Sequence, residues 1–464
     1  MIVTSVSYRS ATGRAVVAAA VLGSGLTLLD STVVNIALRT IGRDLDASLA
    51  QLQWITNGYL LSLASLILLG GSLGDLFGRK RVFMAGVVWF AAASLVCGLA
   101  LNPTTLILAR LLQGVGGALV TPGSLAMIQG AFGPRDRARA IGAWSGLGGI
   151  AAAVGPFVGG VLIDYASWRW IFLINVPLAA AALLVCARWV PESRDPEAGR
   201  HFDVPGAALA ALALAGVTYA LIEWSTPLAL PAALVGLVAG VLFLVFEARE
   251  KEPMVPLELF GSRIFSAANA MTLLVYAALG AVIFFVVLQL QTVSGYSPLE
   301  AGISTLPITI IMLLLAARGG ALAGRIGPRL PMSLGPLVVA VAIVLLAGID
   351  EDISYWVDVL PGMTVFGLGL VLLVAPLTAT VLAAAPDRHA GIASGINNAV
   401  ARSGSLLAVA ALPAVVGLSG GDYRNAPVLD AAYGKAMLIC AVLMAGGGAV
   451  SWLTIRNPEP DTSG

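Results

Sequence analysis

Charge is what the 464-residue chain has least of. Asp, Glu, Lys and Arg make up 11% of it, against about 25% in a soluble domain, while 58% is hydrophobic and the mean hydropathy is +0.93. No soluble fold of this length hides so much apolar surface behind so few charges, which leaves a polytopic membrane protein. The net charge of +1 supplies no field for nucleic acid. Cysteine is nearly absent: Cys97, Cys186 and Cys440 all fall in apolar runs and outline no disulfide framework. Histidine is scarcer still, with only His201 and His389. Both lie in loops, and no Asp-rich motif accompanies them. That leaves neither a metal site nor the paired acids that a membrane-embedded transferase would need, and no cofactor is implied. No Gly-x-x-x-x-Gly-Lys-Ser/Thr run occurs, so ATP is not expected as the energy source. Alternating strands are missing too, which excludes a transmembrane β-barrel. The N-terminus lacks a short apolar segment with a cleavage site, so its first long run is expected to stay as an anchor.

What is present is apolar length. A span needs about 20 residues. By that rule helices are expected near 15–38, 52–72, 82–101, 104–129, 140–163, 169–190, 204–223, 227–247, 264–290, 301–320, 332–349, 357–384, 391–418 and 433–455. The fold class is therefore an all-α polytopic membrane protein with fourteen helices. Small residues throughout suit close packing in lipid.

Lys and Arg set the orientation. With the N-terminus inside, nineteen bases fall in cytoplasmic segments, among them Arg9, Arg14, Arg79–Arg81, Arg135, Arg200, Arg318, Arg388 and Arg456. Only Arg39, Arg43, Arg169, Arg424 and Lys435 fall outside, so both termini are expected in the cytoplasm. Trp54, Trp168, Trp170, Trp189, Trp224, Trp356 and Trp452 sit at span ends, where tryptophan meets the interface. Two bases, Arg110 and Arg402, are left inside spans.

Four stretches carry unusual chemistry. Gly71-Ser-Leu-Gly-Asp-Leu-Phe-Gly-Arg-Lys-Arg81 packs one acid, Asp75, and three bases into what reads as a tight turn, with Gly71, Gly74 and Gly78 allowing the backbone to fold back. A weaker copy, Arg318-Gly-Gly-Ala-Leu-Ala-Gly-Arg-Ile-Gly-Pro-Arg329, follows the tenth span with Gly324 where the acid would be. Asp30 lies toward the outer half of the first span. A carboxylate at that depth costs roughly 2.5–3.5 kcal/mol on insertion scales and is seldom idle. Burial raises its pKa and a nearby cation lowers it, so it can exchange a proton as its surroundings change. Arg110, near the outer end of the fourth span, matches it in depth and cannot shed its own charge. Gln113 is one turn further on. In the fifth span Gly155-Pro156-Phe-Val-Gly159-Gly160 combines a missing backbone hydrogen bond with room for close helix approach, the makings of a hinge.

Taken with Trp168–Pro177 and Gly391-Ile-Ala-Ser-Gly-Ile-Asn-Asn-Ala-Val-Ala-Arg402, these stretches resemble, in order and along nearly the whole chain, the fourteen-span drug:proton antiporters of the major facilitator superfamily. The resemblance implies two six-helix bundles (1–190 and 264–464) around an inserted helix pair (191–263). It implies a multi-pass protein of the cytoplasmic membrane that exports hydrophobic, often cationic, drugs or antibiotics in exchange for protons. It also implies roles: proton coupling for Asp30 and Arg110; a cytoplasmic gate from Gly71, Asp75, Gly78, Arg79 and Arg81, with the acid set against a helix N-terminus; and an antiporter hinge at Gly155, Pro156, Gly159 and Gly160. Leu76 and Ala151 depart from the family's usual base and glycine. No acid lies within the tenth span beyond Glu300 at its edge, which argues against a dication site. Asn35, Asn57, Gln113, Asn398 and Arg402 are candidates for lining the cavity, and Tyr59, Trp144, Phe284 and Phe285 for its bulk. A proton-coupled carrier for one specific metabolite is the alternative within the superfamily. A sensor without flux is another class, which a transport assay separates.

Overall fold

A computed structural model describes residues 6–194, 203–386 and 389–457; Arg200, His201 and Arg388 lie outside them. Among the described residues fourteen helices are long and apolar enough to cross a membrane. They are α1 (Ala11–Asp44), α2 (Leu49–Phe77), α3 (Arg79–Gly98), α4 (Pro103–Ala131), α5 (Pro134–Tyr165), α6 (Trp170–Trp189) and α7 (Val204–Ile222). Then follow α8 (Ala229–Glu247), α9 (Arg263–Thr292), α10 (Pro298–Ile326), α11 (Arg329–Leu346), α12 (Tyr355–Ala383), α13 (Ala390–Val415) and α14 (Ala426–Thr454). No strand occurs among the described residues.

Several helices begin at side-chain caps. Ser10 accepts from the Gly13 amide at 2.9 Å. Ser48 and Gln51 form a reciprocal capping box, and Asn102 caps α4 just before Pro103. Each cap satisfies donors that helix geometry leaves open. One expectation is corrected here. The stretch 71–81 is mostly helix: α2 runs through Gly71, Gly74 and Asp75 to Phe77, and the turn is made by Gly78 alone, at φ +112°. The helix ladder persists because nothing before Gly78 forbids it. Trp168, just before α6, is buried, and its indole N–H donates to Asp44 at 2.8 Å. Trp170, Trp189, Trp224, Trp356 and Trp452 are exposed at helix ends.

The chain divides into two compact units. One holds α1–α8 with Tyr296–Ile303 and Ser419–Gly421; the other holds α9, α10 from Ser304 on, and α11–α14. In the first, α4 packs on α2 and α3, α1 on α5 and α6, and α3 on α6. In the second, α12 packs on α10 and α11, α9 on α13 and α14, and α11 on α14. A shift of eight helices turns one pattern into the other, so this is two six-helix bundles with α7 and α8 inserted between them in sequence. The inserted helices pack on each other, where Gly216 and Gly236 come within a Cβ's width, and α7 leans on α2.

The repeat extends to local chemistry. Gly327 (φ +84°) turns α10 into α11 as Gly78 turns α2 into α3. Three residues beyond α6, Glu192 accepts from the Lys80 amide at 3.0 Å; three beyond α14, Asn457 accepts from the Arg329 amide at 3.1 Å. The base that follows each turn reaches the carbonyls ending the sixth helix of its bundle. Lys80 Nζ donates to Ala187 and Val190, and the Arg329 guanidinium donates to Trp452. A cation on a helix C-terminus is favourable in both places.

Candidate functional site

Five helices converge on Asp30. Its carboxylate pairs with Arg110 Nη1 and accepts from Gln113 Nε2 at 2.8 Å and Asn175 Nδ2 at 3.2 Å. Arg110 donates Nε to the Ile55 carbonyl at 3.1 Å and Nη1 to Gln113 Oε1 at 2.6 Å. Ser94 Oγ accepts from both Gln113 and Asn175. The Arg110 guanidinium lies 4.5 Å from the centre of the Tyr59 ring and 5.7 Å from that of Phe172. Asp30 is 0% exposed and Arg110 1%. Burial on this scale is tolerated because the two charges pair with each other and both carry further hydrogen bonds to Gln113, Asn175 and the Ile55 carbonyl.

Each partner is placed by its helix. Arg110 and Gln113 are one turn apart on α4, so both face α1. Asn175 is exposed to the network by a break in α6, which runs as Trp170–Leu173 and then Asn175–Trp189. Pro177 lacks the amide that would bond back across that break. Gln113, expected to line a cavity, bridges the ion pair instead. Tyr59 is stacked under Arg110 instead of lining an open space, and Phe284 and Phe285 are likewise buried. Ser94 and Asn175 were not among the sequence-derived candidates. Asn35 only reaches back to Ser31 within its own helix. Asn57 is fully buried and neither of its amide atoms meets a hydrogen-bond partner among the described residues.

The glycines of α5 press on the same helix that carries Asp30. A Cβ at Gly155 would lie 2.3 Å from Thr32 Oγ1, and one at Gly159 2.6 Å from Val33 Cγ2. On the other side a Cβ at Gly160 would lie 2.5 Å from Leu299 Cα. The α5 glycines thus lie against residues two and three beyond Asp30.

At the α2–α3 turn Asp75 pairs with Arg79 at 2.8 Å rather than capping another helix, because the two are four residues apart across a near-continuous helix. Arg81 faces Glu192 at 3.7 Å. Glu192, missed from sequence, is what the turn docks on. Gly78 is favoured by its positive φ, and a Cβ there would push aside the Glu192 carboxylate, which it would meet at 2.7 Å. The close approach of α2 to α4 is at Gly70, whose Cβ would lie 2.1 Å from the Ala118 carbonyl, not at Gly71.

In the second unit, Arg402 and Asn398 line a cavity of about 130 Å³ with Tyr276, Ser394 and Asn397. Asn397 is also tied to Asn269 and Thr272.

A repeated six-helix bundle with a buried acid–base network in the first copy defines a multi-pass membrane transporter. The family model for the Major Facilitator Superfamily matches twice, over residues 20–205 and 204–409, and the chain belongs to that superfamily. It is 36% identical over 447 residues to the methylenomycin A resistance protein of Bacillus subtilis, covering 94% of this chain and 95% of the relative. It is 35% identical to the tetracenomycin C resistance and export protein of Streptomyces glaucescens, covering 87% and 76% of the two chains. It is 34% identical to the multidrug resistance protein Stp of Mycobacterium tuberculosis, covering 85% and 74%. Among solved structures, a D-xylose-proton symporter superposes with a TM-score of 0.69 at 15% identity over 96% of this chain and 98% of that one, a likeness of fold.

Proposed function

We propose that this chain is a secondary antiporter that exports hydrophobic drugs or antibiotics across the cytoplasmic membrane by alternating access, driven by protons. Relatives named for antibiotic resistance and export, similar over most of their length, support the export reading. The single observation that carries the coupling is the Asp30–Arg110 network. As a carboxylate, Asp30 is matched by three donors. On protonation it gains a hydrogen to donate and loses its charge, so Arg110 is left buried and uncompensated. That state is relieved only by rearrangement of the five helices that meet there, which makes proton occupancy and conformation interdependent. The α5 glycines against Thr32 and Val33 give the rearrangement a route into the bundle. In this reading the Asp75–Arg79 and Arg81–Glu192 contacts secure the cytoplasmic gate, and both termini lie in the cytoplasm. The chain then runs as two bundles, 1–190 and 264–464, about an inserted 191–263, and it transports rather than catalyses. The test is efflux of a preloaded fluorescent lipophilic compound from cells expressing the chain, with and without a protonophore. Efflux that stops when the gradient collapses supports the reading; efflux indifferent to the gradient, or absent for every antibiotic and dye tried, contradicts it.

A further inference from the structure

Arg402 sits near the middle of α13, twelve residues from Ala390 and thirteen from Val415. At 1.5 Å per residue that is about 18 and 20 Å from the helix ends, out of snorkelling reach of either one. It is half-buried, yet it makes no hydrogen bond or ion pair with any described residue. Nor does its own unit offer a counter-charge at that depth. Helices α9, α11 and α13 carry no acid, and Asp358 and Asp430 sit in the first two turns of α12 and α14. Asp430 is moreover engaged by Gln289 at 2.6 Å. A permanent cation at membrane depth without a protein partner calls for one from elsewhere.

The surroundings specify what that partner is. Ser394, Asn398 and Arg402 are spaced four apart and share one face of α13, and the cavity they line is lined also by Tyr276 and Asn397. The Ser394 and Tyr276 hydroxyls make no hydrogen bond to a described residue. The Asn397 amide is spent on Asn269 and Thr272, and that of Asn398 reaches back to the Ser394 carbonyl; the guanidinium fork and the two unengaged hydroxyls remain as donors, suited to an acceptor-only group such as an ionised carboxylate. At about 130 Å³ the recess is smaller than the roughly 300–1,000 Å³ that encloses a whole drug. It takes the polar end of a molecule whose apolar body lies elsewhere.

We propose that the Arg402 cavity binds the anionic end, a carboxylate or comparably acidic group, of the compound this protein exports. Its substrates are then lipophilic acids before lipophilic cations. That the ligand is exported rests on the function proposed above; its binding at Arg402 does not.

The full chain in phosphatidylcholine nanodiscs, where no anionic lipid competes, is titrated with 2-naphthoate, its methyl ester and tetraphenylphosphonium. Wild type is expected to prefer the carboxylate over the ester by roughly tenfold or more, as a charge-assisted pair replaces a neutral contact. Arg402→Gln abolishes that preference while ester binding stays; Arg402→Lys keeps part of it, having the charge without the fork. Tyr276→Phe, which removes one oxygen, weakens carboxylate binding alone and decides the matter if the arginine variants do not reach the membrane. Equal binding of acid and ester by wild type, or a preference untouched by these variants, overturns the proposal. Flux of the same probes in proteoliposomes separates the two readings. Proton-driven export of tetraphenylphosphonium without any carboxylate preference keeps export and sinks this site. An Arg402-dependent preference without proton-driven flux of any probe keeps the site and sinks export.

Discussion

Arg110 and Arg402 both lie within membrane helices of this protein, and their surroundings are opposite. Arg110 in α4 is 1% exposed, paired with Asp30, bonded to Gln113 and the Ile55 carbonyl and stacked on Tyr59. Arg402 in α13 faces a cavity and pairs with no described residue. The two are not repeat equivalents, since the shift of eight helices carries α4 onto α12 and α5 onto α13. What differs is the counter-charge each one meets: beside Arg110 an internal acid, beside Arg402 a space. An arginine whose counter-ion is built in can be switched only by neutralising that counter-ion, which suits a proton. An arginine whose counter-ion is missing can be satisfied only by a ligand. The turns show the same asymmetry more mildly, with Asp75 and Glu192 in the first unit against Gly324 and Asn457 in the second.

The comparison breaks most visibly under a membrane potential. A monovalent acid leaving in exchange for one proton moves two charges with the field, worth about 4.6 kcal/mol at 100 mV from about 2.3 per charge. A monovalent cation exchanged for one proton moves none. A potassium diffusion potential, negative on the side the compound leaves, is therefore expected to accelerate naphthoate flux strongly and tetraphenylphosphonium flux little; equal responses would erase the distinction drawn between the two units.

Next in size are the charge deletions. Asp30→Asn or Arg110→Gln strands a buried charge or its partners and should cost about 3–5 kcal/mol, while the double variant recovers most of that loss. Arg402→Gln, which strands nothing, should change stability by less than about 1 kcal/mol or raise it slightly. Thermal unfolding of the purified variants measures both. Similar losses at 110 and 402 would mean that Arg402 has a partner after all.

Below these come the packing and turn variants. Gly155→Val and Gly159→Val each drive a side chain into Thr32 or Val33 and should cost about 1–3 kcal/mol, with efflux falling further than stability if the α5–α1 contact transmits the cycle. At the α2–α3 turn, Glu192→Ala removes the acceptor of the Lys80 amide and should cost about 1 kcal/mol. Asp75→Asn, breaking a part-exposed pair four residues apart, should cost no more than about 0.5 kcal/mol. Efflux abolished by Asp75→Asn at unchanged melting temperature would separate gating from folding.

The fourteen spans and the six-plus-two-plus-six plan were legible because hydropathy reports helix length directly. The match of Asp30 with Arg110 was legible from depth along their spans. Their remaining partners were not, since a lone Ser94 in an apolar run carries no signal and Asn175 gains meaning only from the break before it. Asn175 could have been noticed as an amide two residues before Pro177 inside a span. Glu192 was hidden for another reason: it lies in a linker, and only the fold returns that linker to residues 78–81. Arg402 could be singled out from sequence as a base inside a span, but its lack of a counter-charge is a property of three dimensions.

The central claim is that the Asp30–Arg110 network couples protons to export. It is tested most directly in proteoliposomes with an imposed pH gradient, comparing wild type with the Asp30→Asn, Arg110→Gln double variant, which removes both charges together. The double variant is predicted to retain downhill exchange of a transported dye but to lose all accumulation driven by the pH gradient. Gradient-driven accumulation persisting in the double variant would contradict the account and place the coupling group elsewhere.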